Sequence, residues 1–291
     1  SLGSLQLPDE QDIRAVVAPD QTSIYTFSPQ RFAIWDARVD IDPVSPQPTI
    51  AIETPGNDPD EVIISPNRLT AIMSELNGER DVLELNTGRI LAMLPASPGN
   101  TPDFRYSGDG RRFARFLNET TIRVQTSNTA RPVADITVPE GARFYELDHT
   151  GSRLATVDHE KVDLLSVSSN DPAIAPLQHE LDVTAIAFDR AAIRLVTATM
   201  DGTIHTWDIH TGRRNSSYLV PLRSIDSIRF SPDGKLLHLH NTRGDDLIID
   251  AKTGETIAEP GGSWVMSDDW STIISGSDPS RLQISRTDAS V

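Results

Sequence analysis

The chain has 291 residues, of which 37% are hydrophobic, a formal net charge of −16 and no cysteine. The lack of cysteine excludes disulfides, thiolate metal sites and cysteine nucleophiles. Because phosphate binding depends on clustered positive charge, the acidity speaks against nucleic acid and anionic membranes as partners. No apolar run reaches the roughly 18 residues that span a bilayer, and no signal segment opens the chain, so we expect a cytoplasmic protein.

The first residues do not read as a natural start. Position 1 is Ser, and residues 1–4 (Ser-Leu-Gly-Ser) resemble a cloning scar or an internal cut. We therefore expect residues 5–291 to form one domain, and we leave room for an effector domain upstream in the same polypeptide.

A strand-and-turn signature recurs along the chain. Each copy is a short alternating strand followed by turn residues, among which Pro presets φ, Asp or Ser bonds the local backbone, and Gly accepts a positive φ. The copies lie at residues 15–20, 62–66, 104–110, 145–151, 186–189 and 228–234. Repetition of this kind indicates a repeat architecture.

A second signature follows each copy of the first. It is a period-2 strand ending in Trp-Asp or a related pair, and it is clearest at residues 204–212 (IHTWDIHTG). The Trp-Asp position of this signature falls near residues 36, 84, 126, 166, 208, 250 and 285. The spacing of about 40 residues allows four strands per unit, as a propeller blade requires. The sequence therefore predicts an all-β fold, a seven-bladed β-propeller with four-stranded antiparallel blades.

These motifs make the chain resemble the WD40-repeat family of β-propellers over essentially its whole length. Members of that family often carry a buried network of a loop His, a strand Ser or Thr, a turn Asp and a strand Trp. The resemblance implies such a network, with a structural role, for His179, Thr199, Asp201 and Trp207. In other units the Trp position is occupied by Trp35, Gln125, Leu165 and Ile249.

The two ends of the chain are expected to meet in one blade. The last unit supplies three strands, near residues 264–266, 272–275 and 282–286, and lacks a fourth. Leu5–Leu7 lies where an outer strand would lie, so we expect it to close the last blade and remove an open sheet edge.

Charge is distributed unevenly over the expected loops. The loops of a propeller alternate between two faces, and sorting them puts nearly the entire net charge on one, the top face. The candidate partner-binding acids on it are Asp58, Asp60, Glu61, Glu140, Glu180, Asp226 and Glu259. One interpretation is a binding face for a basic segment of another protein, and the other is that acidic loops only keep the domain soluble.

Catalytic and metal-binding signals are weak in this sequence. Gly-x-Ser-x-Gly, Walker, Rossmann and His-Glu-x-x-His patterns are absent. His238 and His240 share one face of a strand but have no third metal ligand in the pattern, and residues 58–61 lack the spacing of an EF-hand. We therefore expect no catalytic residue, no cofactor and no metal. The leading hypothesis is a protein–protein interaction platform; the alternatives are a small-ligand or metal-binding propeller with enzymatic activity, and a structural subunit of a larger assembly.

Overall fold

The computed structural model of the chain describes residues 14–17, 23–28, 31–36, 50–53, 62–74, 78–96, 104–260, 263–266, 270, 272–278 and 281–286. Every regular element among these residues is a β-strand. This part of the chain has no helix that is long and apolar enough to cross a membrane. Contacts group the chain into two compact units, residues 1–137 and 138–291, which are described separately.

The first unit contains three four-stranded antiparallel sheets, in each of which consecutive strands are neighbours. Sheet 1 consists of β1 (Arg14–Val17), β2 (Ser23–Ser28), β3 (Arg31–Asp36) and β4 (Ile50–Glu53). Sheet 2 consists of β5 (Ile63–Ile64), β6 (Thr70–Ser74), β7 (Arg80–Glu84) and β8 (Arg89–Leu94). Sheet 3 consists of β9 (Arg105–Tyr106), β10 (Arg112–Asn118), β11 (Thr121–Thr126) and β12 (Pro132–Thr137).

The second unit continues the pattern with three four-stranded sheets and one of three described strands. Sheet 4 consists of β13 (Phe144–Leu147), β14 (Arg153–Asp158), β15 (Lys161–Ser166) and β16 (Leu177–Gln178). Sheet 5 consists of β17 (Val183–Phe188), β18 (Arg194–Thr199), β19 (Thr203–Asp208) and β20 (Arg214–Leu219). Sheet 6 consists of β21 (Ile225–Phe230), β22 (Leu236–Asn241), β23 (Asp246–Asp250) and β24 (Thr256–Ala258). Sheet 7 consists of β25 (Ser263–Met266), β26 (Thr272–Asp278) and β27 (Arg281–Arg286).

The prediction of an all-β chain built from repeated four-stranded antiparallel units is confirmed. Six sheets have four strands, and their order follows the sequence. The segment Leu5–Leu7, predicted to supply the fourth strand of sheet 7, lies outside the described residues.

The turn between the first and second strands repeats in atomic detail in sheets 2 to 6. Its last residue donates a backbone hydrogen bond to the residue three before it, as from Gly110 to Ser107 (2.8 Å) and from Gly234 to Ser231 (2.9 Å). That last residue has a positive φ in six sheets, at positions 68, 110, 151, 192, 234 and 270. In sheet 3, Asp109 holds the turn by accepting hydrogen bonds from the Ser107 hydroxyl (2.7 Å) and the Arg111 N–H (2.9 Å). Gly110, Gly151, Gly234 and Asp109 therefore act as the sequence predicts, whereas Arg68, Ala192 and Trp270 take the positive φ without being glycine.

A register shift also recurs, between the third and fourth strands of a sheet. It falls between Val82 and Leu83 in sheet 2 and between Thr206 and Trp207 in sheet 5. Equivalent shifts occur at positions 124–125 and 248–249. Each shift immediately precedes the Trp position of the second signature, and a bulge of this kind increases the local twist of the strand.

Sheets 1 to 3 in the first unit and sheets 4 to 6 in the second pack face to face with their sequence neighbours. In the second unit, Leu164 of sheet 4 belongs to one apolar cluster with Leu195 and Trp207 of sheet 5. The opposite face of sheet 5 contributes Val196 to a cluster with Leu237 of sheet 6. Each such side chain stabilises the fold by about 1.5–3 kcal/mol when it is fully buried. Since sheet 5 buries both faces, its strand ends, turns and outer strand are the surfaces left for a partner.

Candidate functional site

The inter-sheet connections and the second turns of sheets 4, 5 and 6 lie at the same end of these sheets, here called the top end. The Val183 N–H, after the connection from sheet 4 to sheet 5, donates to the carbonyl of His159 in the second turn of sheet 4 (2.9 Å). In sheet 5 the second turn contacts the same connection, where the Met200 N–H donates to the carbonyl of Asp182 (3.0 Å). The top end is therefore a continuous surface along these sheets.

Four of the seven predicted partner-binding acids lie at this end and are exposed. They are Glu140, Glu180, Asp226 and Glu259. Asp58, Asp60 and Glu61 lie outside the described residues. The predicted role of the set in partner binding stays a prediction.

Two acids of the top end have a cationic neighbour that the sequence pattern does not reveal. Arg214 Nη1 donates to Glu180 Oε1 (3.3 Å), and Arg143 Nη1 donates to Asp182 Oδ2 (3.0 Å). A hydrogen bond from its own backbone and then the Arg214 guanidinium lower the pKa of Glu180, so this carboxylate stays ionised. The arginines neutralise part of the local charge, although exposed pairs contribute only about 0–1 kcal/mol each.

A buried chain of hydrogen bonds links His179 to Trp207 at the interface of sheets 4 and 5. The Trp207 indole N–H donates to the Thr197 hydroxyl (3.1 Å), and this hydroxyl lies 2.8 Å from His179 Nε2. On the other side of the ring, Nδ1 lies 3.0 Å from the carbonyl of Glu160, which can only accept. Nδ1 therefore carries the proton and Nε2 accepts from Thr197, which is the pattern of a neutral imidazole. Burial lowers the pKa of His179 to about 4, in agreement with this state.

Thr199 and Asp201 belong to a separate network, which corrects the single four-residue network implied by the family resemblance. The Thr199 hydroxyl donates to Asp201 Oδ1 (2.7 Å), and Thr203 donates to both oxygens of Asp201. Burial opposes ionisation of Asp201, but these hydrogen bonds outweigh it and lower its pKa. The separation follows from the strand geometry. Thr199 is the last residue of β18, whereas Thr197 lies two residues earlier in the strand, directly opposite His205. Thr197, not Thr199, is the hydroxyl between His179 and Trp207.

The Thr–Trp pair recurs in sheet 1, which the sequence comparison of units did not predict. The Trp35 indole N–H donates to the Thr26 hydroxyl at 2.8 Å. Trp35 lies opposite Ile24, two residues before Thr26, just as Trp207 lies opposite Leu195, two residues before Thr197. The Thr lies nine residues before Trp35 but ten residues before Trp207, so the pair has no fixed offset in the sequence and the strand register is needed to find it.

Where another residue replaces Trp, the same site is filled differently. In sheet 3, Gln125 takes the Trp position and accepts a hydrogen bond from Arg115 Nε (3.3 Å), with both side chains buried. Leu165 and Ile249 fill it with apolar packing in sheets 4 and 6. These networks lock neighbouring strands, and they leave His179 and Asp201 bonded to different partners rather than arranged as an acid–base pair.

His238 and His240, on one face of β22, share a partner that the sequence did not indicate. Asp246 Oδ1 lies 2.7 Å from His238 Nε2 and 2.9 Å from His240 Nδ1, so one carboxylate oxygen accepts from both rings. Within the described ranges, no group of three or more His, Cys, Asp or Glu side chains has an arrangement that could hold a metal ion. The two imidazoles are thus engaged in hydrogen bonds along the strand pair β22–β23.

The chain has detectable similarity to a characterised protein over a limited region. No family model matches it. It is similar to U3 small nucleolar RNA-associated protein 21 of Saccharomyces cerevisiae, with 28% identity over 107 residues, which is 33% of this chain and 11% of the yeast protein. The similarity therefore covers a third of this chain and only a small part of its yeast relative.

Proposed function

We propose that the chain is a seven-bladed WD40-like β-propeller that acts as a protein–protein interaction platform. The observation that carries this proposal is the repetition of a four-stranded unit about every 40 residues, with the same positive-φ residue in the first turn of six sheets and the same register shift in four. A stack of such sheets offers a rigid support for loops, and recognition by loops on a rigid scaffold is common.

In this proposal the last blade is closed by the start of the chain. Sheet 7 has three described strands and ends at β27, so a fourth strand is needed to match the other six sheets. Leu5–Leu7 supplies it, and the chain 5–291 then forms one domain.

The partner is a protein with a basic segment that binds the acidic top face through Asp58, Asp60, Glu61, Glu140, Glu180, Asp226 and Glu259. The net charge of −16 supports a basic partner, because opposite charge steers association and fixes orientation. The yeast relative is named for its association with a small nucleolar RNA, so binding of RNA by this chain is an outcome that the test must be able to detect.

The platform acts by binding rather than by catalysis, in the cytoplasm and without a cofactor or metal. The separate engagement of His179 and Asp201 supports this part of the proposal, since it leaves neither as a general base for the other. An effector domain upstream in the same polypeptide would be positioned by the propeller when a partner binds.

The test is a pull-down from host lysate, at low and at high salt, with the wild-type chain and a variant in which exposed acids of the top end are neutralised. The variant is Glu140→Gln, Asp226→Asn and Glu259→Gln, because these three carboxylates are exposed and have no described ion pair. We expect a protein retained by the wild type, weakened by salt and lost from the variant, since interactions between exposed charges are screened beyond about 8 Å at physiological ionic strength.

The control neutralises exposed acids at the other end of the same sheets. Asp171 and Glu255 lie in the third turns of sheets 4 and 6 and are exposed. The variant Asp171→Asn with Glu255→Gln is expected to retain the partner. Retention of the same protein by both variants, or recovery of RNA instead of protein, contradicts the proposal.

A further inference from the structure

Exposed apolar side chains gather at the top end of sheet 5. The described part of the chain has eight large hydrophobic side chains that are exposed, and three of them are Leu181 (39% exposed), Met200 (54%) and Leu219 (65%). Leu181 lies in the connection before β17, Met200 in the turn between β18 and β19, and Leu219 at the end of β20. We call these three residues the sheet-5 apolar patch.

Backbone hydrogen bonds hold the three residues side by side. The Met200 N–H donates to the carbonyl of Asp182, the residue after Leu181 (3.0 Å). On the other side of the turn, the Val220 N–H donates to the carbonyl of Gly202 (3.1 Å), and Leu219 lies directly opposite Thr203. With strands about 4.8 Å apart, the patch extends over roughly 14 Å, which is the width of four adjacent strands.

The turn that carries Met200 has a fixed conformation. Asp201 accepts hydrogen bonds from Thr199 and Thr203 inside it. Gly202 has φ +89°, and a Cβ atom there would collide with the carbonyl oxygen of Leu222. Hydrogen bonds and close packing thus fix the backbone position of Met200 at the surface.

The rim of the patch is acidic, and this decides which kind of partner fits. Glu180 is exposed and Asp182 half-exposed on the two sides of Leu181 in sequence, and Glu160, whose carbonyl accepts from the His179 N–H, is also exposed. The cations in contact with this rim, Arg143 and Arg214, are bound to Asp182 and Glu180 through exposed ion pairs that a competing cation can replace at little cost. A second copy of the chain would bring another formal charge of −16, so self-association is opposed by repulsion.

We infer that the sheet-5 apolar patch is an anchor surface for a segment of another protein that carries one or two apolar side chains flanked by Arg or Lys. This inference rests on the proposed platform function and identifies the residues with which the platform contacts its partner. The apolar side chains of the partner cover Leu181, Met200 and Leu219, and its cations meet Glu160 and Glu180. Apolar anchors surrounded by a charged rim are the usual arrangement of the residues that dominate a protein interface.

The probe that tests this inference is a random peptide library displayed on phage and selected on the immobilised chain. We expect the selected peptides to share an apolar residue flanked by Arg or Lys. The double variant Leu181→Ser and Met200→Ser is expected to bind the selected peptides at least about tenfold more weakly, because truncating a central anchor commonly costs that much affinity.

The matched control is Ile193→Ser, at the other end of the same sheet. Ile193 is 50% exposed in the turn between β17 and β18, so it resembles Met200 in exposure but lies outside the patch. This variant is expected to bind the peptides as tightly as the wild type. Thermal melting of all three proteins verifies that they are equally folded, since single exposed substitutions rarely change stability by more than about 0.5 kcal/mol.

Three outcomes overturn the inference. They are the failure to select any peptide with an apolar residue beside a cation, equal binding of the selected peptides by wild type and double variant, and a concentration-dependent dimer that the double variant abolishes. If the acid-neutralised variant of the previous section loses its protein partner while Leu181→Ser with Met200→Ser keeps it, the platform stands and only the apolar anchor fails.

Discussion

The protonation state of His179 makes the stability of the chain depend on pH. Burial lowers the pKa of this imidazole to about 4, whereas in the unfolded chain it is about 6.5. The neutral ring is needed by the native state, because Nε2 accepts a hydrogen bond from Thr197. The ring centroid of His205 lies 5.2 Å from that of His179 in a T-shaped contact, and burial lowers the pKa of His205 as well.

The first prediction is therefore a loss of stability between pH 6.5 and pH 4. The unfolded state binds a proton in this range and the native state does not, so the contribution of His179 is complete above about pH 6.5 and is lost as pH falls through about 4. The loss is of order 2 kcal/mol, since one pKa unit corresponds to about 1.4 kcal/mol and partial solvent contact reduces the full value. Urea denaturation at stepped pH measures it. His179→Gln should flatten the profile, and His210→Gln, at an exposed position, should leave it unchanged.

The second prediction separates the two networks at residue scale. Thr197→Val removes the hydroxyl and leaves the indole N–H of Trp207 and Nε2 of His179 without a buried partner, so we expect a loss of roughly 2–3 kcal/mol. Thr199→Val removes a hydroxyl that donates within its own turn, to Asp201 and to the Thr203 carbonyl, and should cost about 1 kcal/mol. Thr197→Ser keeps the hydroxyl and serves as the control. Equal losses for the two valine variants in denaturant unfolding would contradict the assignment.

At the scale of single elements, a first turn stores a small strain where its positive-φ residue is not glycine, as in sheet 5. Ala192 has φ +52° at the position that Gly110 occupies with φ +68°. For an L-residue this conformation costs roughly 1–2 kcal/mol in the native state. Glycine avoids that cost, but its unfolded chain has more conformational freedom to lose on folding, so only part of the cost is recovered as stability. The third prediction is that Ala192→Gly raises the free energy of unfolding by about 0.5–1 kcal/mol.

The reverse change in sheet 3 provides the comparison. A Cβ atom at Gly110 would lie 2.6 Å from Asn67 Cγ and 2.8 Å from the Asn67 backbone nitrogen. Gly110→Ala should therefore lower the free energy of unfolding by roughly 2 kcal/mol or more, through both conformation and contact. Denaturant unfolding of the two variants measures both signs, and a destabilised Ala192→Gly would show that the turn tolerates alanine without strain.

The strands and first turns could be predicted from the sequence because their signals are local. Alternation, Pro, Asp and Gly recur at fixed offsets, and each acts within a few residues. The register shift before Trp207 and the role of Thr197 could not be predicted in this way. Both depend on which residues of neighbouring strands lie opposite each other, and a shift of one residue exchanges the faces of a strand.

For the whole molecule, the repeated four-stranded sheets could be predicted from the sequence, whereas the ion pairs and exposed apolar side chains of the surface could not. Net charge adds up along the chain, so an acidic face was hypothesised by assigning loops to ends, and it stays a prediction. Ion pairs between residues far apart in the sequence, such as Arg143 with Asp182 and Arg214 with Glu180, reduce that charge locally. The apolar patch was also missed, because Leu181, Met200 and Leu219 are scattered in sequence and meet only when the four strands of sheet 5 are aligned.

The fourth prediction concerns closure of the whole fold by its first residues. In the proposed propeller Leu5–Leu7, outside the described residues, pairs beside β27, and without it β27 keeps an unpaired edge that invites association with other chains. Deletion of residues 1–8 should therefore lower the melting temperature of the chain by roughly 5–10 °C and cause concentration-dependent association. Deletion of residues 1–4 alone removes no proposed strand residue and should leave the melting temperature unchanged. Scanning calorimetry with light scattering follows both effects. An unchanged melting temperature after deletion of residues 1–8 would mean that the fold does not depend on its first strand, and the seven-bladed closure would have to be abandoned.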